Sequence, residues 1–271
     1  MAPVPGRRTA LSAPRRLVCD LLHASRRIPI ISFERCIDVS AVAAARRESP
    51  QPPPWAVLFV KAFALVASRR PELRRAYLPL PWPHLWEAAH SIASVAVERE
   101  YRGEPAVLFG LVKNPEALPL ADLVAKLNEW KTQPVEAVGN FDRELRYARY
   151  PLPVRRFVWW YATAWSGAIR AKNLGTFGVS LTGAGGAAAL NLICPLTVSL
   201  NTGVIRPDGT VDVRLHFDHR VLDGMPAARA LAELEEALRG EVADEVRGLA
   251  ATCGASCTAR SPGTESPAPR A

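Results

Sequence analysis

Phe217-Asp218-His219-Arg220-Val221-Leu222-Asp223-Gly224 lies where two sequence patterns meet. Before it, residues 210–217 read as a strand, with Val211, Val213, Leu215 and Phe217 alternating with polar residues. After it, residues 225–238 place Ala228, Leu231, Leu234 and Leu238 at helical spacing. A strand end that leads into a helix start is a rigid platform for displaying reactive side chains. A His-x-x-x-Asp-Gly pattern is expected roughly 0.01 times by chance in a chain of this composition. It gains weight only with company elsewhere in the chain.

Working outward, Pro207-Asp208-Gly209 makes a hairpin turn from a strand at 196–204. A further strand spans 175–181. Residues 155–170 read as one apolar helix carrying Trp159, Trp160 and Trp165. Its composition favours packing against the core, with a membrane-surface or oligomer contact as the alternative. Residues 120–130 form an amphipathic helix. Two strands, 92–101 and 105–112, flank the tight turn Arg102-Gly103-Glu104. Towards the start come a helix at 15–25, a strand at 28–38, a short helix at 41–48 capped by Ser40, and a strong helix at 55–70. Residues 71–83 are broken by prolines. The expectation is one α+β domain, a two-layer sandwich over residues 15–240. A disordered lead (1–14) precedes it and a disordered tail (241–271) follows it.

The chain has 271 residues and a formal charge of +8, and 29 of its 34 basic residues are arginine. The arginines come as scattered pairs, such as Arg69-Arg70 and Arg155-Arg156, rather than one block or stripe. Nucleic-acid binding is therefore not expected, and a small anionic ligand suits dispersed arginines equally well. No apolar run reaches the ~18 to 20 residues of a membrane span. With no secretory pattern at the start, a cytoplasmic protein is the expectation. Five cysteines, at 19, 36, 194, 253 and 257, form no CxxC pair, and no two histidines share a helical face with a carboxylate. Neither a disulfide framework nor a metal site is expected.

The company is found upstream. Asp218, His219, Arg220, Asp223 and Gly224 resemble the Asp-His-Arg-x-x-Asp/Asn-Gly signature of the dihydrolipoamide acyltransferase core of the 2-oxoacid dehydrogenase complexes. Gly175-Thr176-Phe177-Gly178-Val179-Ser180 is similar to that family's Gly-Thr-Phe-x-x-Ser strand. Pro195, Leu200 and Gly203-Val204-Ile205 resemble its proline-then-strand segment. Lys61-Ala62 and Arg70-Pro71-Glu72-Leu73 echo its Lys-Ala helix and the Pro-Glu-Leu that follows. The resemblance covers residues 15–240 and implies a mixed sheet covered by helices, like that of chloramphenicol acetyltransferase.

It also implies chemistry. A thiol of pKa near ~8.5 is mostly protonated at neutral pH, so an imidazole of pKa near ~6.5 helps by taking its proton. His219 is then the general base, and Ser180 matches the hydroxyl that stabilises the oxyanion. Asp223 either orients His219 or makes a structural ion pair with an arginine, the second being favoured. Asp218 and Arg220 are expected to hold the backbone. His216 falls on the opposite strand face and reads as a bystander, as do His23, His84 and His90.

Coenzyme A is the implied co-substrate, with no lipoyl group on this chain and a separate lipoylated protein as a possible donor. The implied assembly is a homotrimer, or a multiple of trimers, with each site between two subunits. The alternatives are a catalytically idle trimeric scaffold of the same fold, or a binding module for an anionic ligand or nucleic acid. The Trp-rich segment before Gly175 has no counterpart in the classical core.

Overall fold

The alternation through residues 210–217 becomes an interior strand with Val211, Val213, Leu215 and Phe217 all fully buried. The structure, a computed structural model, describes Val4 and residues 6–249. Its helices are α1 (Ala13–Ser25), α2 (Ser40–Glu48), α3 (Trp55–Arg69), α4 (Leu120–Thr132), α5 (Gly139–Tyr147), α6 (Leu152–Ala164), α7 (Gly167–Leu174) and α8 (Gly224–Ala237). The strands are β1 (Ile30–Asp38), β2 (Arg75–Leu78), β3 (His84–Glu87), β4 (Ile92–Tyr101), β5 (Glu104–Lys113), β6 (Phe177–Leu181), β7 (Val198–Thr202) and β8 (Thr210–Asp218). Six of them form one mixed sheet in the order β1-β8-β7-β6-β4-β5. The β4–β6 and β6–β7 pairs are parallel and the others antiparallel. The expected α+β architecture is therefore present.

Side-chain alternation divides this sheet into two unlike faces. On one face Val211, Val213, Leu215 and Phe217 join Phe177, Val198 and Leu200 in the core. There α3 covers them with ten buried residues, and α8 packs beside it. The ring of Phe63 meets Phe177 edge-on at 5.0 Å. The opposite face is polar yet buried, carrying Ser94, Ser199, Asn201, His216 and Asp218. At the β5 edge, α1, α5, α6 and α7 pack on one another as a separate group.

Several boundaries differ from the sequence reading. The proline-broken stretch folds into a short 3-10 turn, Pro71–Arg74, and the hairpin β2–β3, whose strands are too short to show a period. Ser40 does not cap α2; its N–H instead donates to the Asp38 carboxylate at 2.8 Å. The single helix at 155–170 is two helices, with Ser166 accepting from the Ile169 N–H at 3.3 Å to start the second. Nor does its first part pack into the core: α6 buries only Ala162, while Phe157, Trp160 and Trp165 are exposed. Trp159 alone of the three tryptophans packs against the core cluster.

The domain does not stop at residue 240. A π-helical turn at Leu238–Val242 leads into helix over residues 243–249, and Val242, Ala243 and Val246 are fully buried. The four-residue step from Leu234 through Leu238 and Val242 to Val246 keeps one apolar stripe on the core, which the extra π residue permits. From this extension Glu245 accepts the Leu120 N–H at 2.8 Å and pairs with the buried Lys61 ammonium at 3.5 Å. The rest of the expected tail, including Cys253 and Cys257, lies outside the described residues. No described helix is long and apolar enough to cross a membrane.

Candidate active site

His219 is the first residue past β8, and the turn that presents it is held by its neighbours. Asp218, fully buried, accepts from the Arg220 N–H (3.0 Å), Nε (2.9 Å) and Nη2 (2.7 Å). Its carbonyl also accepts the N–H groups of Val221 and Leu222 at 3.0 and 3.1 Å. The Arg220 guanidinium lies over the Tyr77 ring at 4.3 Å. Behind it, buried Arg170 donates to the Pro195 carbonyl at 2.8 Å. Burial pushes its guanidinium down to about 10, with Asp218 pulling the other way. The hairpin that sequence reasoning missed thus supplies, through Tyr77, a support for the Arg220 side chain. Gly224 is explained by packing: a Cβ there would stand 2.8 Å from the Phe33 ring.

On this support the His219 N–H donates to the Pro29 carbonyl at 3.0 Å, and its ring packs edge-on to Phe217 at 6.0 Å. Its side chain is 43% exposed, with Nδ1 at 3.5 Å from the Asp223 carboxylate. Asp223 is itself 84% exposed and has no arginine partner among the described residues. Within one chain Asp223 thus faces the imidazole and not an arginine.

Ser180 does not meet His219 within one chain. The strand registers place Ser180 beside Asn201, and Asn201 beside Arg214. His219 lies five residues further along the β8 direction, roughly 16 Å at ~3.3 Å per residue. A hydroxyl acting on an atom held at His219 needs hydrogen-bond reach, about 3 Å. Ser180 is half-buried on the polar sheet face, and its carbonyl accepts from Asn201 Nδ2 at 3.0 Å.

His216 does fall on the face opposite Phe217, but it is no surface bystander. It is 1% exposed, with Nδ1 at 2.7 Å from the Ser32 hydroxyl and a buried Nε2 that has no partner. Burial, seconded by the Arg214 charge, holds its pKa below the ordinary histidine value. Ser32, His216, Ser199, Gly178 and Ser94 lie in register across five strands as one polar row. The signal was present in β8, whose second stripe, Asp212, Arg214, His216 and Asp218, is wholly polar. Among the described residues no group of three or more His, Cys, Asp or Glu is placed to hold a metal.

No family model and no curated protein matches the chain. Solved structures do match it in fold. A probable dihydrolipoamide acetyltransferase from Listeria monocytogenes superposes with a TM-score of 0.61 at 18% identity, covering 86% of this chain and 94% of its own. Dihydrolipoamide acetyltransferase from Azotobacter vinelandii, studied for the catalytic roles of a serine, a histidine and an asparagine, gives 0.62 at 18% identity, covering 89% and 98%. The cubic core of a pyruvate dehydrogenase multienzyme complex gives 0.62 at 17% identity, with the same coverages. The chain has the fold of these acetyltransferase cores.

Proposed function

We propose that the protein is an acyltransferase that moves an acyl group between a thioester, acyl-coenzyme A or acyl-dihydrolipoyl, and an acceptor thiol. The observation that carries this reading is His219: a half-exposed imidazole beside the Asp218–Arg220 clamp, with Nδ1 facing Asp223. With its proton on Nδ1, directed at Asp223, the ring presents Nε2 as a base. Nε2 takes the proton of the incoming thiol as its sulfur attacks the thioester carbonyl. The carbonyl electrons move to oxygen, and the resulting oxyanion needs a donor aimed at it. As the intermediate collapses, the departing thiolate recovers the proton from His219. One C–S bond forms, one breaks, and the imidazole ends as it began.

The donor is Ser180 of a neighbouring subunit. The ~16 Å between Ser180 and His219 along the sheet supports a site divided between chains rather than one closed within a chain. One of the similar structures is a cubic core, and a cube has threefold axes. A head-to-tail contact that repeats about a threefold axis closes into a trimer, and each interface then contains one His219 and one Ser180. The Azotobacter vinelandii enzyme was studied at a histidine and at an asparagine four positions later, and Asp223 stands at that spacing here. The acyl donor is free acyl-coenzyme A or a separate lipoylated protein.

The test is thiol release from acetyl-coenzyme A with dihydrolipoamide as acceptor. His219→Ala should lower the rate by at least ~10²-fold without changing the circular dichroism spectrum. Near-normal turnover by the folded variant would remove His219 from the mechanism.

A further inference from the structure

Between α1, α5, α6, α7 and the β5 edge lies a cavity of about 210 Å³. It exceeds the ~150 Å³ of an apolar cavity that admits a benzene ring. Its wall is apolar and aromatic, with Leu21, Phe109, Tyr147, Trp159, Ile169 and Leu196 among its residues. It is distinct from His219, though both are at the same end of the sheet: Leu196 precedes Thr197, whose carbonyl accepts the Asp218 N–H at 2.8 Å.

Four charged side chains reach this wall: Asp20 and Arg155 pair with each other, Glu144 is neutralised, and Arg143 has no carboxylate partner among the described residues. Asp20, 2% exposed, is paired with Arg155 at 2.7 Å. Arg143 turns to the Asn140 side-chain oxygen at 3.2 Å. Glu144 accepts the Phe109 N–H at 3.2 Å through Oε2, and burial pushes its carboxyl up to about 8. It is therefore mostly protonated at neutral pH and carries an O–H to give. A cationic ligand would meet the two arginines, and an anionic one Asp20 beside a protonated carboxyl. A cation would find no unpaired carboxylate, and an anion only Arg143, which is half-buried and already turned to Asn140, in a wall where an uncompensated charge is strongly disfavoured.

We infer that this cavity binds an uncharged apolar molecule, an aromatic ring or medium-length hydrocarbon chain bearing one hydrogen-bonding oxygen, which Glu144 meets. The site needs no acyl transfer at His219, and so its fate is independent of the proposed reaction. The assay is fluorescence of the neutral probe N-phenyl-1-naphthylamine. Saturable binding of one probe per chain is expected, with 1-octanol displacing it at least ~10-fold more effectively than octanoate or octylammonium at pH 7. Ala162→Phe, which fills the cavity, and Val158→Lys, which puts a charge in its wall, should each weaken binding at least ~10-fold. Trp160→Ser, on the exposed side of the same helix and outside the cavity, should leave binding unchanged.

Equal competition by the charged octyl compounds, or absence of saturable binding, overturns the inference. So does loss of binding in Trp160→Ser with retention in a folded Ala162→Phe or Val158→Lys chain, which would place the probe on the exposed aromatic face. The competition series uses the unaltered chain and decides the question even where a variant fails to fold.

Discussion

Asp218→Asn isolates the clamp beneath His219, because it removes one charge and almost no volume. In the native chain that carboxylate is fully buried and holds Arg220 through three donors, with buried Arg170 close enough to feel its charge. Removing one partner of a buried ion pair costs ~3 to 5 kcal/mol. Two features lower that figure. The Arg220 side chain remains 33% exposed and lies on the Tyr77 ring, so solvent and ring still stabilise its charge. The Asn oxygen also keeps the bond from the Arg220 backbone N–H, worth about 1 kcal/mol. The expected loss is therefore about 2 to 3 kcal/mol. At ~2 to 4 °C per kcal/mol for a domain of this size, Tm falls by roughly 4 to 12 °C. Thermal unfolding followed by far-ultraviolet circular dichroism measures it, and acyl transfer should fall with it because His219 loses its fixed position. A Tm within ~2 °C of the native value, with activity retained, would show that the clamp neither stabilises the chain nor positions the base.

Three further outcomes follow from the same geometry. Inactive His219→Ala and Ser180→Ala proteins, mixed under conditions of subunit exchange, should regain activity, because a mixed interface supplies both groups; no recovery with exchange verified by mass spectrometry would reject the divided site. Gly224→Ala should destabilise the chain by ~1 to 3 kcal/mol in urea titrations, since its Cβ would stand 2.8 Å from the Phe33 ring; an unchanged midpoint would mean that the ring moves freely aside. The Glu144 carboxyl, raised to about 8 when folded, binds its proton more tightly in the native than in the unfolded chain. Its contribution is thus complete below the unfolded pKa of ~4.3 and is lost as pH rises from there through about 8. The Tm advantage of Glu144→Gln over the native chain should accordingly grow between pH 5 and pH 8, and a constant difference would contradict the raised pKa.

What the sequence revealed and what it concealed divide along a physical line. The β8 alternation is local, and it correctly placed Val211, Val213, Leu215 and Phe217 on one buried face. The same local rule put His216 on the other face, but whether that face meets water depends on chain brought in from elsewhere. The break in the helix at 155–170 is in part tertiary, beside the local cap that Ser166 supplies. The periodic pattern runs through it, yet the Trp86 ring sits 2.2 Å from where a Cβ on Gly167 would be. The β2–β3 hairpin sets that ring, and nothing in residues 155–170 encodes it. The surroundings of Asp223 were illegible for a similar reason, since the distance from a carboxylate to an imidazole or an arginine is fixed by the whole fold.

The separation of Ser180 and His219 carries the strongest consequence. Both residues were legible as motifs, but a motif has no coordinates until strand order and direction are known. Here β6 and β7 run parallel while β8 runs against them, so the two C-terminal ends, at Leu181 and Asp218, point to opposite ends of the sheet. A serine near the end of β6 and a histidine just past the end of β8 are therefore held apart by topology, and no side-chain rotation closes ~16 Å. If both act in one reaction, the second chain is a part of the active site, and assembly and activity must be lost together on dilution.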